Sequence, residues 1–570
     1  MTGLTFRVDG REVDVVDDGA SLLEVLRDRL GLRSAKDGCS PQGQCGCCTV
    51  LVDGSPRVSC VTPARRVAGR EVTTLEGLGR AGRWADAFCA TGASQCGFCT
   101  PGIIMRLEAL AGDAANPPPA GKVDRALAAH LCRCTGWQTI EESVDRFVGG
   151  DTHDPMAGRN RADAERRAEI EGGTPQRVHP DVALGGGGFA DDHAPEGALV
   201  AVPDGAGGWS VAETLTEARG LAGKVQGRRT TVRAAPPLDL PAGDWELALR
   251  TSWVEPAYLE TDASWCEPGG EPASPLANGG AFGSKRASPV QAAARELADR
   301  YGRAVRVLLS REDVVRFGPK RPPIAAGMRA DGTGVMRIVR TPGIVEAVAS
   351  VAPDLLVEEV TVPGPDTSAA IRGAGWLEAA VLLAALASRA EGDGLSVTRA
   401  SAETPAGAWA AAEITGAGDI DIRVRCGRML DAVVLRSYCI GAAHQALGWV
   451  GSEGLAVDAE GQVHDLTVRS FGILRAAEMP KVNVEIEADE GPPVPGSDAV
   501  LVAVAAAAWL TRDCPIDWPA GATLDRHRLA TGPSISAWKG LTPRRFWPGQ
   551  FEGGMMSTWV EPSSSSSCWS

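Results

Sequence analysis

The chain has 570 residues, 44% apolar and 23% charged, enough to bury several cores and too evenly mixed for a fibrous or wholly disordered protein. Its 57 Lys and Arg against 72 Asp and Glu give a formal charge of −15, and with only 3 Tyr and 10 Phe there is neither a basic face for phosphates nor a platform for bases, so no nucleic-acid partner is expected. The longest nearly uninterrupted apolar run, 499–510, is shorter than the roughly 18 to 20 residues that cross a bilayer, and residues 1–18 lack the apolar centre of a cleavable signal, so a cytoplasmic protein with no membrane partner is expected.

Residues 4–16 alternate apolar and polar on both sides of Asp9-Gly10, the favoured dipeptide of a two-residue hairpin turn, which predicts two antiparallel strands. Ser21-Leu-Leu-Glu24 has the form of a capping box, and Leu22, Leu23, Val25, Leu26 and Leu30 then mark an amphipathic helix that Gly31 ends. A Gly- and Cys-rich loop leads to a strand at 48–54 and its return near Val58, so residues 1–80 read as a small mixed sheet with one helix. Helical patterns follow near 83–91, 102–112, 122–131 and 138–147, a small bundle over 81–150. Residues 151–194 are charged and Gly-rich and read as a linker. From 195 to 520, β-like runs at 305, 455 and 482 mix with Ala-rich helical runs at 290–299, 376–389 and 499–510; residues 521–570, ending PSSSSSCWS, read as a disordered tail.

Ten of the fifteen cysteines fall between Cys39 and Cys134, and without a secretory signal such density favours metal or cluster ligation over disulfides. Cys39, Cys45 and Cys48 on one loop and Cys60 on the adjoining strand supply four thiolates for a 2Fe–2S cluster, with Gly38, Gly43 and Gly46 letting the backbone wrap it. The first interval is one residue longer than the C-x4-C-x2-C of plant-type ferredoxins, and Cys47 is read as packing without binding iron. Cys96, Cys99, Cys132 and Cys134 form a second set between predicted helices, which by spacing alone suits either zinc or a second 2Fe–2S cluster. Cys89, Cys266, Cys426, Cys439, Cys514 and Cys568 have no paired spacing and are read as structural.

The strings Gln95-Cys-Gly-Phe-Cys-Thr-Pro-Gly102 and Leu131-Cys-Arg-Cys-Thr-Gly136 resemble the two cluster motifs of the molybdenum hydroxylases, the xanthine dehydrogenase and aldehyde oxidase family, and the likeness runs over residues 1–148. It implies two 2Fe–2S clusters in series, with Cys96, Cys99, Cys132 and Cys134 holding the one nearer a molybdopterin. Further on, Gly279-Gly-Ala-Phe-Gly-Ser-Lys285 resembles the family's GGGFGGK loop and Ile371-Arg-Gly-Ala-Gly375 its FRGFG motif, with Glu378 where that motif ends in Gln. Ala257-Tyr-Leu-Glu260 and the stretch from Ile440 to Met479-Pro480 also follow the family's order. The resemblance makes Gly280, Phe282, Gly283 and Arg372 the candidate cofactor-binding residues.

The implied architecture is α+β and multidomain: a plant-type ferredoxin-like β-grasp, a helical 2Fe–2S-binding bundle, then a shortened mixed α/β molybdopterin-domain-like region with blocks missing between Gly270 and Gly279 and after Val345. The family's catalytic Glu has no counterpart in Pro495-Gly-Ser-Asp498; Asp498, one methylene shorter, is the candidate base, the other reading being a solvated turn carboxylate. The interval 149–195 is too short for the family's FAD domain, so electrons are expected to leave to an external flavoprotein subunit or another acceptor. Two functions stay open: a xanthine dehydrogenase-like oxidoreductase hydroxylating a purine, N-heterocycle or aldehyde at a molybdopterin centre, or an iron–sulfur electron-transfer subunit, with a degenerate second region, that serves a separate catalytic molybdenum subunit.

Overall fold

The computed structural model describes residues 3–111, 121–223, 233–276, 280–391 and 398–521, all within one compact unit. The expected tail, beyond residue 521, lies outside the described residues. Among those described, no helix is long and apolar enough to cross a membrane.

The predicted hairpin forms from Gly3–Val8 and Arg11–Val16, with both turn residues at positive φ, 51° at Asp9 and 77° at Gly10, as the tight primed turn requires. These strands join Glu71–Thr73, Thr49–Val52 and Ser55–Val58 in a five-stranded mixed sheet whose central strand pairs in parallel with the first. Ser21 caps its helix by accepting from the Glu24 amide at 3.2 Å, but the reciprocal half of the box is redirected. The Glu24 carboxylate instead accepts from the amide and hydroxyl of Thr216, tying this sheet's helix to the second region.

The bundle helices are Ala81–Thr91, Thr100–Ala111, Lys122–Leu127 and Gln138–Val148; Trp84 of the first stacks on Phe147 of the last at 3.6 Å between ring centroids. The segment read as a linker is folded instead. Asn160 caps a helix over Arg161–Gly172, and its Arg167 and Glu171, four residues apart, are wholly buried and paired at 3.0 Å. Its run of charges looks solvated in one dimension, whereas in three dimensions the i, i+4 pair is buried and completed by distant backbone groups, the Arg428, Met429 and Val494 carbonyls and the Gly496 and Ser497 amides.

Among the described residues, the second region holds three sheets. One, built from Trp209–Ala212, Leu199–Pro203, Val305–Leu308 and Ala263–Cys266, packs on the helix Val290–Tyr301. A second runs Leu355–Val360, Gly334–Val339, Ile324–Met328, Leu247–Thr251 and Asp517–Trp518. The third, Arg399–Glu403, Trp409–Ile414, Ile420–Arg425 and Val482–Ile486, lies against Gly496–Leu510, a helix apolar all round and therefore buried all round. The expected strand at 455 reduces to isolated bridges, Trp253 to Leu455 and Val457 to Val463.

Beside that apolar helix runs Ala432–Gly451, which carries His444 in the core with no exposed surface, its Nε2 3.0 Å from the Leu474 carbonyl. Burial, with Arg133 adding to it, lowers the His444 pKa to about 4, so the folded ring stays neutral where the unfolded one is charged. Stability from this group is therefore complete above pH 6.5 and drains as the pH falls toward 4. Urea unfolding at pH 7 and 5 is expected to show a loss of about 2 kcal/mol that a His444→Gln variant lacks.

Candidate metal and cofactor site

The loop between the first helix and the strand Thr49–Val52 brings Cys39, Cys45 and Cys48 to Cys60, which lies in the turn Ser59–Val61 just past the strand Ser55–Val58. All four thiols are buried. Cys39 touches both Cys45 and Cys60, and Cys60 also touches Cys48. Backbone amides already point at the sulfurs: Gln42 and Gln44 donate to Cys39 Sγ at 3.3 and 3.4 Å, and Cys60 donates to Cys48 Sγ at 3.5 Å. Such donors stabilise thiolate charge and tune a cluster's potential. Gly46, at φ 75°, is required sterically, since a Cβ there would sit 2.4 Å from the His130 ring.

In the bundle, Cys96 and Cys99 precede the helix Thr100–Ala111, while Cys132 and Cys134 precede Gln138–Val148. Cys134 and Cys96 sulfurs are 3.7 Å apart, and Cys99 touches Cys132. That contact, with the Thr135 hydroxyl 3.1 Å from its sulfur, brings the Cys132 thiol down to about 6. The thiols thus meet as pairs, an arrangement that suits the two irons of a 2Fe–2S rhomb. The two cysteine loops are joined directly by the Leu131 amide, which donates to the Cys45 carbonyl at 3.0 Å.

The second set is anchored to the C-terminal region. Arg133, between Cys132 and Cys134, forms a bidentate pair with Glu453 at 2.5 and 2.7 Å and also donates to the Pro256 carbonyl. Gly441 of the helix Ala432–Gly451 packs so closely that a Cβ there would lie 1.8 Å from the Cys134 carbonyl oxygen.

A cavity of about 250 Å³ opens beside these thiols, lined by Cys96, Cys99 and Cys134 on one side and by Phe282, Gly283, Arg372 and Asp498 on the other. Apolar walls come from Ile170, Phe189, Leu259 and Phe282, and polar ends from Gln95 and Gln445. Gly280 opens the turn Gly280–Ala287, in which Ala281, Phe282 and Gly283 all have left-handed φ, and a Cβ on Gly283 would strike the Ala370 carbonyl at 1.9 Å. Gly279 lies outside the described residues. The Arg372 amide donates to the Phe282 carbonyl at 3.0 Å, which fixes the two motif loops against each other.

Asp498 stands in the first turn of Gly496–Leu510 and accepts from Arg372 Nε at 2.8 Å, while another guanidinium nitrogen donates to the Ser497 hydroxyl. The same helix end is capped from the misread linker: Glu171 accepts from the Gly496 and Ser497 amides at 3.0 and 2.9 Å. Nothing in the sequence pointed to Glu171 as a cap, because the amides it accepts from lie more than 320 residues away. Two other charges of the motif segments lie nearby, Glu378 fully buried and Glu260 largely so. Glu260, pushed up to about 7 by burial, pairs with Lys285 at 2.6 Å, and Glu378, where the motif has Gln, is matched by Arg321 at 2.9 Å. A compensating arginine was the one signal that could have explained Glu378 from sequence.

Two family models match the first part of the chain: a 2Fe-2S iron-sulfur cluster binding domain over residues 6–71 and a [2Fe-2S] binding domain over 74–145. The same region is 46% identical over 130 residues to the xanthine dehydrogenase iron-sulfur-binding subunit of Escherichia coli O157:H7, covering 22% of this chain and 80% of that protein. It is 39% identical over 134 residues to the nicotinate dehydrogenase small FeS subunit of Eubacterium barkeri, covering 23% of this chain and 83% of that protein. Among solved structures, aldehyde oxidoreductase from Desulfovibrio gigas superposes with a TM-score of 0.66 over 93% of this chain and 100% of that one; at 15% identity this is a likeness of fold.

Proposed function

The chain belongs to the molybdenum hydroxylase family, and on that premise we propose that it is an oxidoreductase that passes electrons from a molybdopterin centre through two 2Fe–2S clusters to an external acceptor. Cys96, Cys99, Cys132 and Cys134 hold the inner cluster, and Cys39, Cys45, Cys48 and Cys60 the outer one. The observation that carries this reading is the shared cavity: inner-cluster thiols and the residues Phe282, Gly283, Arg372 and Asp498 line one space. The residues suit a pterin, with apolar faces for a flat ring, the Gln95 and Gln445 amides for its polar edges, and a left-handed main chain at 281–283 that permits close approach. When bound, that group supplies two-electron oxidation of a carbon centre, and the clusters take the electrons one at a time. Val61, half exposed beside Cys60, puts the outer cluster close to the surface where a flavoprotein subunit or other carrier docks. The substrate on this reading is a purine, an N-heterocycle or an aldehyde, and the reaction cytoplasmic.

A second reading, an electron-transfer subunit serving a separate catalytic molybdenum chain, is favoured by the Asp498–Arg372 pair. Arg372 Nε already holds Asp498 Oδ1 at 2.8 Å, so that oxygen is engaged by a protein donor and is not free to act on a substrate or water. Elemental analysis with low-temperature EPR of the dithionite-reduced protein separates the readings. About four irons per chain with molybdenum supports the hydroxylase, the same iron without molybdenum supports the electron-transfer role, and zinc in place of iron overturns both. Asp498→Ala adds a kinetic test: a hydroxylase is expected to lose about a hundredfold or more in turnover with its base, whereas an electron carrier keeps its dye reduction unchanged.

A further inference from the structure

Six charged side chains line the cavity: Arg133, Glu171, Glu260, Arg286, Arg372 and Asp498. Five are neutralised by a partner at ion-pair distance. Arg133 has Glu453 at 2.5 Å, Glu171 has Arg167 at 3.0 Å, Glu260 has Lys285 at 2.6 Å, and Arg372 and Asp498 have each other at 2.8 Å. Arg286 alone has neither an ion pair nor a hydrogen bond among the described residues. It is also well placed to keep its position: Ser284 and Lys285, just before it, are buried, and Lys285 is clamped by Glu260 and the Pro275 carbonyl.

We infer that Arg286 receives the anionic group of a flat, ring-bearing ligand in this cavity, a group that is either a phosphate or a carboxylate. The inference rests on the proposed reading of the cavity as the reaction site and adds the ligand's chemistry to it. The walls given by Ile170, Phe189, Leu259 and Phe282 exclude a wholly hydrated anion, so the ligand presents an apolar ring to them and its charge to the guanidinium. A planar guanidinium donates two parallel hydrogen bonds to a carboxylate or phosphate, and because no protein carboxylate competes, the ligand gains the full charge-assisted contact. The two sources of such a group are the phosphate of the pterin cofactor and the carboxylate of an aromatic acid substrate.

The test is Arg286→Gln in the full chain; the side chain is exposed and unpartnered, so folding is expected to be unaffected. Phosphorus and iron per chain are measured on the purified protein, and benzoate and benzamide are titrated calorimetrically. If the anion is the cofactor's, the variant loses bound phosphorus and keeps its iron. If it is the substrate's, phosphorus is unchanged, benzoate weakens by about tenfold or more, and neutral benzamide binds both proteins alike. Equal phosphorus and equal benzoate affinity in the two proteins overturn the inference, as does a wild-type chain that holds no phosphorus and ignores benzoate. Cluster EPR on the same samples keeps the outcomes apart: clusters present with Arg286 silent sink this inference alone, whereas absent clusters sink the reading of the site.

Discussion

Replacing Cys99 with serine is expected to cut the iron from about four to about two per chain and to abolish the inner cluster's EPR signal while the outer signal persists. Cys99 is buried at the start of the helix Thr100–Ala111, touches Cys132 and lines the cavity. A serine oxygen in the same place is a harder and far less acidic ligand than a thiolate, and the site offers iron nothing else there. The outer ligands lie on a different loop, which meets the bundle through the Leu131 to Cys45 backbone hydrogen bond and the packing of Gly46 and Thr49 on His130 but takes none of its four thiols from the bundle. Any substrate-driven dye reduction should fall to background, because electrons leaving the cavity lose their first stop. Both signals surviving at full iron would show that the four-cysteine assignment is wrong.

What the sequence made legible follows from how local the signals are. The Asp9-Gly10 turn and the apolar helices at 290, 376 and 499 are each written in one short stretch of chain, and each forms. The segment 151–194 was misread because its charges are compensated through contacts that sequence order conceals: Arg167 donates to the Arg428, Met429 and Val494 carbonyls, and Glu171 caps the helix at Gly496. For the same reason the Asp498 reading lacked its decisive neighbour. The sequence leaves it as a candidate base or a solvated turn carboxylate; in the fold, Arg372 of the other motif lies 2.8 Å away. Motifs named some of the residues facing the cavity, and only the fold showed the others and which of their charges cancel.

That cancellation gives the other large effect. Glu453→Gln is expected to destabilise the protein by about 3–5 kcal/mol, because it strands the Arg133 guanidinium, with side-chain exposures of 8% for Arg133 and 1% for Glu453, without a counter-charge. The neutral amide keeps the shape but offers one acceptor where the carboxylate offered two charged ones. Replacing both partners with methionine removes the buried charges together, so the double variant is expected to recover most of the lost stability. The two variants differ in what they do to the inner cluster. Arg133 lies between Cys132 and Cys134, and its grip on Glu453 and the Pro256 carbonyl fixes the loop that presents both sulfurs. Without that grip the loop has less to orient it even where the fold is restored. The double variant should therefore unfold at nearly the wild-type urea midpoint yet show an altered inner-cluster signal and midpoint potential, with the outer signal unchanged. A single variant that loses less than about 1 kcal/mol would mean that water reaches Arg133 and the pair is a surface one in effect. A double variant with a wild-type inner signal would assign the pair to stability alone.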